Sequence, residues 1–191
     1  MTIYKKVIEY FHNLCYSICE KSNYRKSGVF MKENKGNTKI DIFSVANFFL
    51  NIVDRDSEST ITPLKLQKIL YYAQGYYLAR KGKELFKEDF EAWAHGPANP
   101  KIYEKYKDYA GNVIDSPKDE DIPIFSEDLT DFLYSIWDVF GIFDGKYLEN
   151  LTHQEAPWLE ARNGYKPGEK CNVVIKKESM KRFFQTEPYN V

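Results

Sequence analysis

The segment from Thr62 to Gly82 constrains the fold most, because a helix here would be apolar on most of its circumference. Thr62 can accept a hydrogen bond from the free N–H groups of a first helical turn, Pro63 suits the first helical position, and Gly82 suits a helix end. We therefore predict a helix over residues 63–80. A helix so apolar is usually buried on several sides, which makes it the predicted centre of the fold. Its apolar side chains are Leu64, Leu66, Ile69, Leu70, Tyr71, Ala73, Tyr76, Tyr77 and Leu78.

Helical spacing of apolar residues recurs along the rest of the chain. It predicts helices over residues 42–53, 128–143, 147–151 and 175–185, a helix that begins at Asn99-Pro100, and a loop over 112–128. Two interpretations are open at the next corner. Thr152 and Glu155 match a capping box, whereas Pro157 favours a helix that begins there. The predicted fold class is mainly α, a compact multi-helix domain around the central buried helix (63–80).

The stretch from Glu84 to His95 favours extended structure instead. Leu85-Phe86 and residues 90–94 are rich in apolar side chains with locally high β-propensity, and three charged residues separate them. We predict a small β-hairpin at about 84–94. Gly96-Pro97 is predicted to break the chain after it.

Charge divides the chain into two regions. Residues 1–40 contain eight Lys and Arg against three Asp and Glu, a local charge of +5, so the remainder (19 against 25) has −6. Residues 1–39 are predicted to form an N-terminal helical extension and a basic linker, and residues 40–191 the compact domain. Met31 lies within the linker, which leaves open that residues 1–30 are not native.

Composition limits where the protein acts and on what. A net charge of −1 gives the whole chain no attraction to nucleic acid or anionic lipid. Three cysteines without a CxxC motif and no signal peptide indicate the reducing cytosol. No apolar run is long enough to span a membrane, so a cytoplasmic protein is predicted. The aromatic content of 16% suggests a binding surface.

No pattern of reactive residues indicates catalysis. His95 and His153 are the candidates for a catalytic base or a metal ligand, but no HExxH, GxSxG or Cys–His signature accompanies them. We interpret both as hydrogen-bonding residues at turns. His12, Cys15 and Cys19 share a helix face, but a zinc site needs a fourth ligand. The sequence therefore predicts no catalytic residue, no metal, no cofactor and no enzymatic activity.

Basic residues are grouped at three places that nucleic acid could contact. The pair Lys65/Lys68 and the run over 176–182 are small, whereas DNA binding usually takes a larger basic stripe. The N-terminal arm is the better candidate, because its basic residues alternate with aromatic ones. The same arm suits a membrane surface or a partner helix, and packing on its own domain or on a second copy is the default interpretation.

Three segments, in this order, resemble one protein family. They are TPLKLQKILYYAQG at 62–75, FEAWAHGP at 90–97 followed by Pro100 and Tyr103, and LTHQEAPW at 151–158 followed by Ala161-Arg162. Their order and spacing are similar to those of the Panacea domain of SocA-like antitoxins and phage-associated GepA-type proteins. The resemblance covers roughly residues 40–187, and the N-terminal arm falls outside it.

The resemblance implies an antitoxin of a type II-like toxin–antitoxin system, which neutralises a cognate toxin encoded nearby by direct protein–protein binding. It names that toxin as the partner and leaves open a ClpXP-type protease and a homo-oligomer. The alternative function is a DNA-binding transcriptional repressor or a prophage regulatory protein that uses the basic N-terminal arm.

The motif residues themselves are predicted to build a scaffold rather than to perform a reaction. The structural residues predicted from the motifs are Leu66, Gln67, Leu70, Tyr71, Trp93, His95, Gly96, Pro97, Thr152, His153, Glu155, Pro157 and Trp158. The residues predicted to contact a partner are Lys65, Lys68, Tyr72, Tyr103 and Tyr106.

Overall fold

The structure is a computed structural model that describes residues 38–55 and 60–186. The predicted N-terminal extension, with His12, Cys15 and Cys19, lies outside the described residues. The helices are α1 (Ile42–Ile52), α2 (Pro63–Lys81), α3 (Pro100–Tyr106), α4 (Glu127–Phe140), α5 (Gly145–Thr152), α6 (Ala156–Ala161) and α7 (Lys177–Thr186). Short 3-10 turns cover Lys107–Tyr109 and Asp119–Asp121, and β1 (Glu91–Trp93) pairs antiparallel with β2 (Gly96–Ala98). The prediction of a mainly helical fold with one small hairpin is confirmed.

The helix ends lie close to where the sequence predicts them, because their capping residues are local signals. Asp41 caps α1 and forms a capping box with Ser44. Thr62 accepts from the backbone N–H of Lys65 at the start of α2, and Gly82 ends that helix with φ of 71°. Asn99 caps α3 through the backbone N–H groups that follow it.

Helix α2 is the centre of the fold, as predicted. It packs against α1, α3, α4, α5, α7 and β2. Residues 65–78 of α2 are all buried, including the polar ones. Gly75 permits the closest of these contacts, since a Cβ at this position would overlap the ring of Phe184 on α7. None of the helices in the described part of the chain is both long and apolar enough to cross a bilayer.

The predicted position of the hairpin is wrong. The strands pair Glu91 with Ala98 and Trp93 with Gly96, so Ala94-His95 is the turn, and Gly96-Pro97 belongs to the second strand. Residues 85–86 form no strand because Gln74 of α2 binds them. Its Oε1 accepts from both backbone N–H groups of this pair, and its Nε2 donates to the carbonyl of Phe86.

The corner after α5 follows the second of the two interpretations. Thr152 ends α5, and its hydroxyl donates back to the carbonyl of Glu149. Glu155 is the residue before α6 but makes no side-chain cap, and Pro157 lies in the first turn of that helix. The capping box is therefore absent, because Glu155 turns inward to a different partner.

Candidate functional site

The three motif segments meet around α2 through buried hydrogen bonds. Lys68 Nζ donates to the carbonyl of Pro97 on β2 at 3.0 Å. Tyr72 donates its hydroxyl to Glu155 Oε1 at 2.8 Å, which ties α2 to the start of α6. Segments far apart in sequence are thus joined by specific polar contacts inside the domain.

Gln67 connects α2 to the end of the hairpin. Its Nε2 donates to the carbonyl of Asn99 at 3.0 Å, and its Oε1 accepts from the backbone N–H of Asn99 at 2.8 Å. The side chain of Asn99 in turn donates to the carbonyl of Asp89 while it caps α3. The glutamine therefore satisfies backbone groups that strand pairing would otherwise satisfy.

The hairpin is bound from its other side by α6. Trp158 Nε1 donates to the carbonyl of Trp93 at 3.0 Å, and Arg162 donates to the carbonyl of Ala92 at 2.8 Å. The guanidinium of Arg162 lies over the ring of Trp158, 5.1 Å from its centroid. The name motif interlock is used below for five of these hydrogen bonds: Lys68–Pro97, Tyr72–Glu155, Gln67–Asn99, Trp158–Trp93 and Arg162–Ala92.

Gly96 has a role that only glycine can fill. Its φ is +87°, a conformation that L side chains rarely adopt. A Cβ there would lie 2.6 Å from Thr152 Oγ1 and 2.9 Å from Lys68 Nζ. The bare backbone lets β2 approach both α2 and α5.

Two lysines of α2 are buried, and burial changes their acidity. Burial lowers the pKa of Lys68 to about 7, although attraction from Glu149 and Glu155 acts in the opposite direction. Burial likewise lowers the pKa of Lys65 to about 8, against the attraction of Asp144. Lys65 Nζ donates to the carbonyl of Gly141 at 2.6 Å and lies over the ring of Trp137.

A cleft of about 360 Å³, here called the hairpin cleft, lies between the start of α2, the hairpin, α3 and α5. Its apolar lining is formed mainly by Pro63, Leu64, Trp93, Ala98, Ile102 and Tyr103. Its polar lining is formed by Gln67, Lys68, His95, Lys146 and Glu149. The rings of Trp93 and Tyr103 meet edge to face with centroids 5.0 Å apart, which fixes the aromatic wall.

Glu149 organises the polar side of the hairpin cleft. Its Oε1 accepts from Lys146 Nζ at 2.8 Å and from His95 Nδ1 at 3.1 Å. Burial acts to raise the pKa of Glu149, but the hydrogen bonds from Lys146 and His95 outweigh it and hold the pKa below its ordinary value. The carboxylate is therefore ionised at neutral pH.

His153 lies behind the hairpin cleft and stacks on Trp158, with ring centroids 4.2 Å apart. Desolvation lowers its pKa, with attraction from Glu149 opposing and repulsion from Lys68 adding to the shift. No described residue offers a hydrogen bond to His153 Nε2, which is buried. The histidine therefore acts as a flat packing surface for the indole, rather than as the hydrogen-bonding turn residue that we predicted.

Only one of the five residues predicted to contact a partner is exposed to solvent. Lys65 and Lys68 are 2% and 1% exposed, and Tyr72 and Tyr106 are also buried. Tyr103 alone among the five is exposed, at 48%. The four buried side chains lie inside the domain because their polar atoms have partners there, so Tyr103 is the one of the five that projects from this surface. Lys68 can be reached only through the hairpin cleft, which it lines.

Most residues predicted to be structural are buried, as a scaffold requires. Buried are Leu66, Gln67, Leu70, Tyr71, Gly96, Pro97, Thr152, Glu155, Pro157 and Trp158, while Trp93 and His153 are half-buried. His95 differs, since its side chain is 79% exposed at the hairpin turn. The prediction placed it among the structural residues, whereas the structure places it on the rim of the hairpin cleft.

Sequence reasoning missed three residues of this region. The sequence around Asn99 predicts a helix start but not the bond to Gln67, and the pattern at Arg162 predicts a motif residue but not its bond to the hairpin. Glu149 had a usable signal, because it lies between Leu148 and Leu151 on the apolar face of a short helix. Within the described ranges, no group of three or more His, Cys, Asp or Glu residues is placed to hold a metal ion.

Comparisons with known proteins point to one family. The family model for the SocA-like antitoxin Panacea domain matches residues 66–159, which include most of α2, the hairpin and the start of α6. Antitoxin SocA from Caulobacter vibrioides (strain NA1000 / CB15N) is 34% identical, over 72% of this chain and 81% of its own length. No solved structure matches the chain.

Proposed function

The chain belongs to the SocA-like Panacea antitoxin family, and on that premise we propose that it is an antitoxin that neutralises a cognate toxin by direct protein–protein binding. It acts in the cytoplasm and without catalysis of its own. The motif interlock supports this proposal, because the polar side chains of the motifs are engaged with one another inside the domain. Such a scaffold holds a surface in place rather than transforming a substrate.

The proposal is tested by co-expression with the product of the adjacent gene. We expect that product to arrest growth alone, to be harmless with this protein, and to co-purify with it. Trp158→Ala, which removes a buried anchor of the scaffold, should lose protection, and Leu159→Ala, altered at the half-exposed neighbour, is the matched control that should keep it. A harmless neighbour, or protection without any complex, would contradict direct neutralisation.

A second candidate function is transcriptional repression of the protein's own operon. The charge of +5 on residues 1–40 favours it, because phosphate contacts dominate DNA affinity. A gel shift on the upstream DNA at several salt concentrations tests whether the protein binds this DNA. Binding that weakens with salt and requires the N-terminal arm supports repression, and absence of binding removes it.

A further inference from the structure

The hairpin cleft combines an aromatic wall with an excess of basic groups. Among its lining residues, the nitrogens of Lys68, His95 and Lys146 stand against one carboxylate, that of Glu149. Glu149 Oε1 already accepts from two of these bases. The charges of Lys146 and Glu149 offset each other, and the Lys68 amine, with a pKa of about 7, is protonated in part at neutral pH and lines the cleft. A carboxylate on an occupant would favour the protonated amine, whereas a cationic occupant would disfavour it.

The size of the hairpin cleft limits what can enter. Its volume of about 360 Å³ is at the low end of small-ligand sites, which span about 300–1,000 Å³. That space suits one large side chain together with its neighbouring backbone group. The apolar wall of Ile102, Ala98 and the Trp93–Tyr103 pair favours an aromatic side chain.

The rim of the hairpin cleft favours a protein over a free small molecule. The side chains of His95 and Lys146 are 79% and 66% exposed, and Tyr103 is half exposed beside them. Small-molecule sites bury most of their ligand, whereas protein interfaces surround a buried anchor with a polar, accessible rim. An exposed tyrosine next to an open pocket is typical of a protein interface.

We propose that the hairpin cleft receives an aromatic residue of the toxin that has a carboxylate beside it, as a C-terminal aromatic residue does. The ring lies against Trp93 and Tyr103, and the carboxylate faces Lys68 and Lys146. This inference rests on the proposed function, because it names the anchor by which the toxin is held.

The first experiment uses a minimal mimic of that anchor on the full chain. N-acetylphenylalanine has the ring and the carboxylate, and N-acetylphenylalaninamide has the ring alone. Both are titrated into ¹⁵N-labelled protein while the Trp93 indole and Gly96 amide signals are followed. We expect saturable shifts, with the acid binding roughly tenfold more tightly, a difference of about 1.4 kcal/mol. Equal affinities, or no shift at these positions, would overturn the proposal.

Variants of exposed residues outside the motif interlock test the same assignment. Tyr103→Ala should weaken both probes, whereas Lys146→Glu should remove the preference for the acid, and Lys146→Met should reduce it. Lys101→Glu is the matched control, because Lys101 is equally exposed on α3 but does not line the hairpin cleft. Loss of the acid preference in Lys101→Glu would show that general surface charge causes it, and the proposal would fail.

The last experiment uses the toxin itself. It distinguishes a failure of the anchor assignment from a failure of the proposed function. Tyr103→Ala and Lys146→Glu should each weaken toxin binding at least roughly tenfold, about 1.4 kcal/mol or more, with Lys101→Glu unchanged. If both variants bind the toxin like the unsubstituted protein, the anchor assignment fails while direct neutralisation stands. If the unsubstituted protein binds no toxin, the proposed function fails, and the anchor assignment fails with it.

Discussion

The motif interlock and the rim of the hairpin cleft are neighbours in the fold, yet their polar side chains differ in what they contact. In the motif interlock, Lys68, Tyr72 and Arg162 are buried and donate to groups of their own chain. On the rim, Tyr103 and Lys146 are open to solvent. The difference indicates that the buried motif residues hold the scaffold together, and under the proposed anchor the exposed residues on the rim would contact the toxin.

This contrast predicts that a break in the motif interlock costs more stability than a change on the rim. The largest effect is expected at Trp158, which is buried, stacks on His153 and donates to the carbonyl of Trp93. Trp158→Ala should lower the free energy of unfolding by about 3–5 kcal/mol, measured by urea denaturation. Its neighbour Leu159 is half exposed, so Leu159→Ala is the control and should change stability by less than about 0.5 kcal/mol. Similar losses of unfolding free energy in the two variants would contradict the difference between buried and exposed positions.

The next effect is expected at Tyr72, whose hydroxyl donates to the buried carboxyl of Glu155. Tyr72→Phe keeps the stacking on Phe140 but removes this donor, so we expect a loss of about 1.5–3 kcal/mol. Tyr109→Phe is the matched control, because Tyr109 makes the same kind of bond to Asp115 in exposed surroundings. Equal costs for the two substitutions would show that burial of the bond is unimportant.

Lys68 should make stability depend on pH. Its folded pKa of about 7 lies below the unfolded value of 10.5, so between these values the unfolded state binds more protons. Lys68 should therefore raise the free energy of unfolding as pH increases from 7 to 10.5, by at most about 1.4 kcal/mol per pH unit. Lys65, with a folded pKa of about 8, should add a second rise above pH 8. Lys68→Met should lose the rise between pH 7 and 8 and keep only the part above pH 8, whereas Lys101→Met, altered at an exposed lysine, should keep both. A rise between pH 7 and 8 that survives in Lys68→Met would assign it to another group.

The smallest stability effect is expected on the rim. Tyr103 is 48% exposed, and its ring contacts Trp93 only at an edge. Tyr103→Ala should lower the free energy of unfolding by about 0.5–1.5 kcal/mol, the contribution of one edge-to-face pair. A loss comparable to that of Tyr72→Phe would place Tyr103 in the scaffold and remove the distinction between the two regions.

The parts of the fold that sequence predicts well depend on neighbours along the chain. Thr62, Pro63 and Gly82 mark the ends of α2 within a few residues of their own positions, and the structure confirms these ends. The predicted position of the hairpin is wrong because a residue in another element determines which residues can form a strand. Gln74 binds the backbone at residues 85–86 and keeps it out of a strand, although its β-propensity is high.

The candidate site was predicted only in part for the same reason. Two lysines three residues apart, Lys65 and Lys68, are typical of an exposed helix face. In the structure their amines donate to backbone carbonyls that lie 76 and 29 residues away in sequence. Burial of a lysine is costly unless such acceptors exist, and sequence spacing does not reveal them. His95, in contrast, lies at a turn as expected, but its partner Glu149 is visible only once α5 is placed beside the hairpin.

Direct binding is tested most immediately by calorimetric titration of the purified full-length protein with the purified product of the adjacent gene. We expect a saturable complex that forms without any added protease, nucleotide or DNA, and that Tyr103→Ala weakens while the protein stays folded. Toxin activity that is suppressed in cells, with no heat of binding between the two purified proteins, would contradict direct binding.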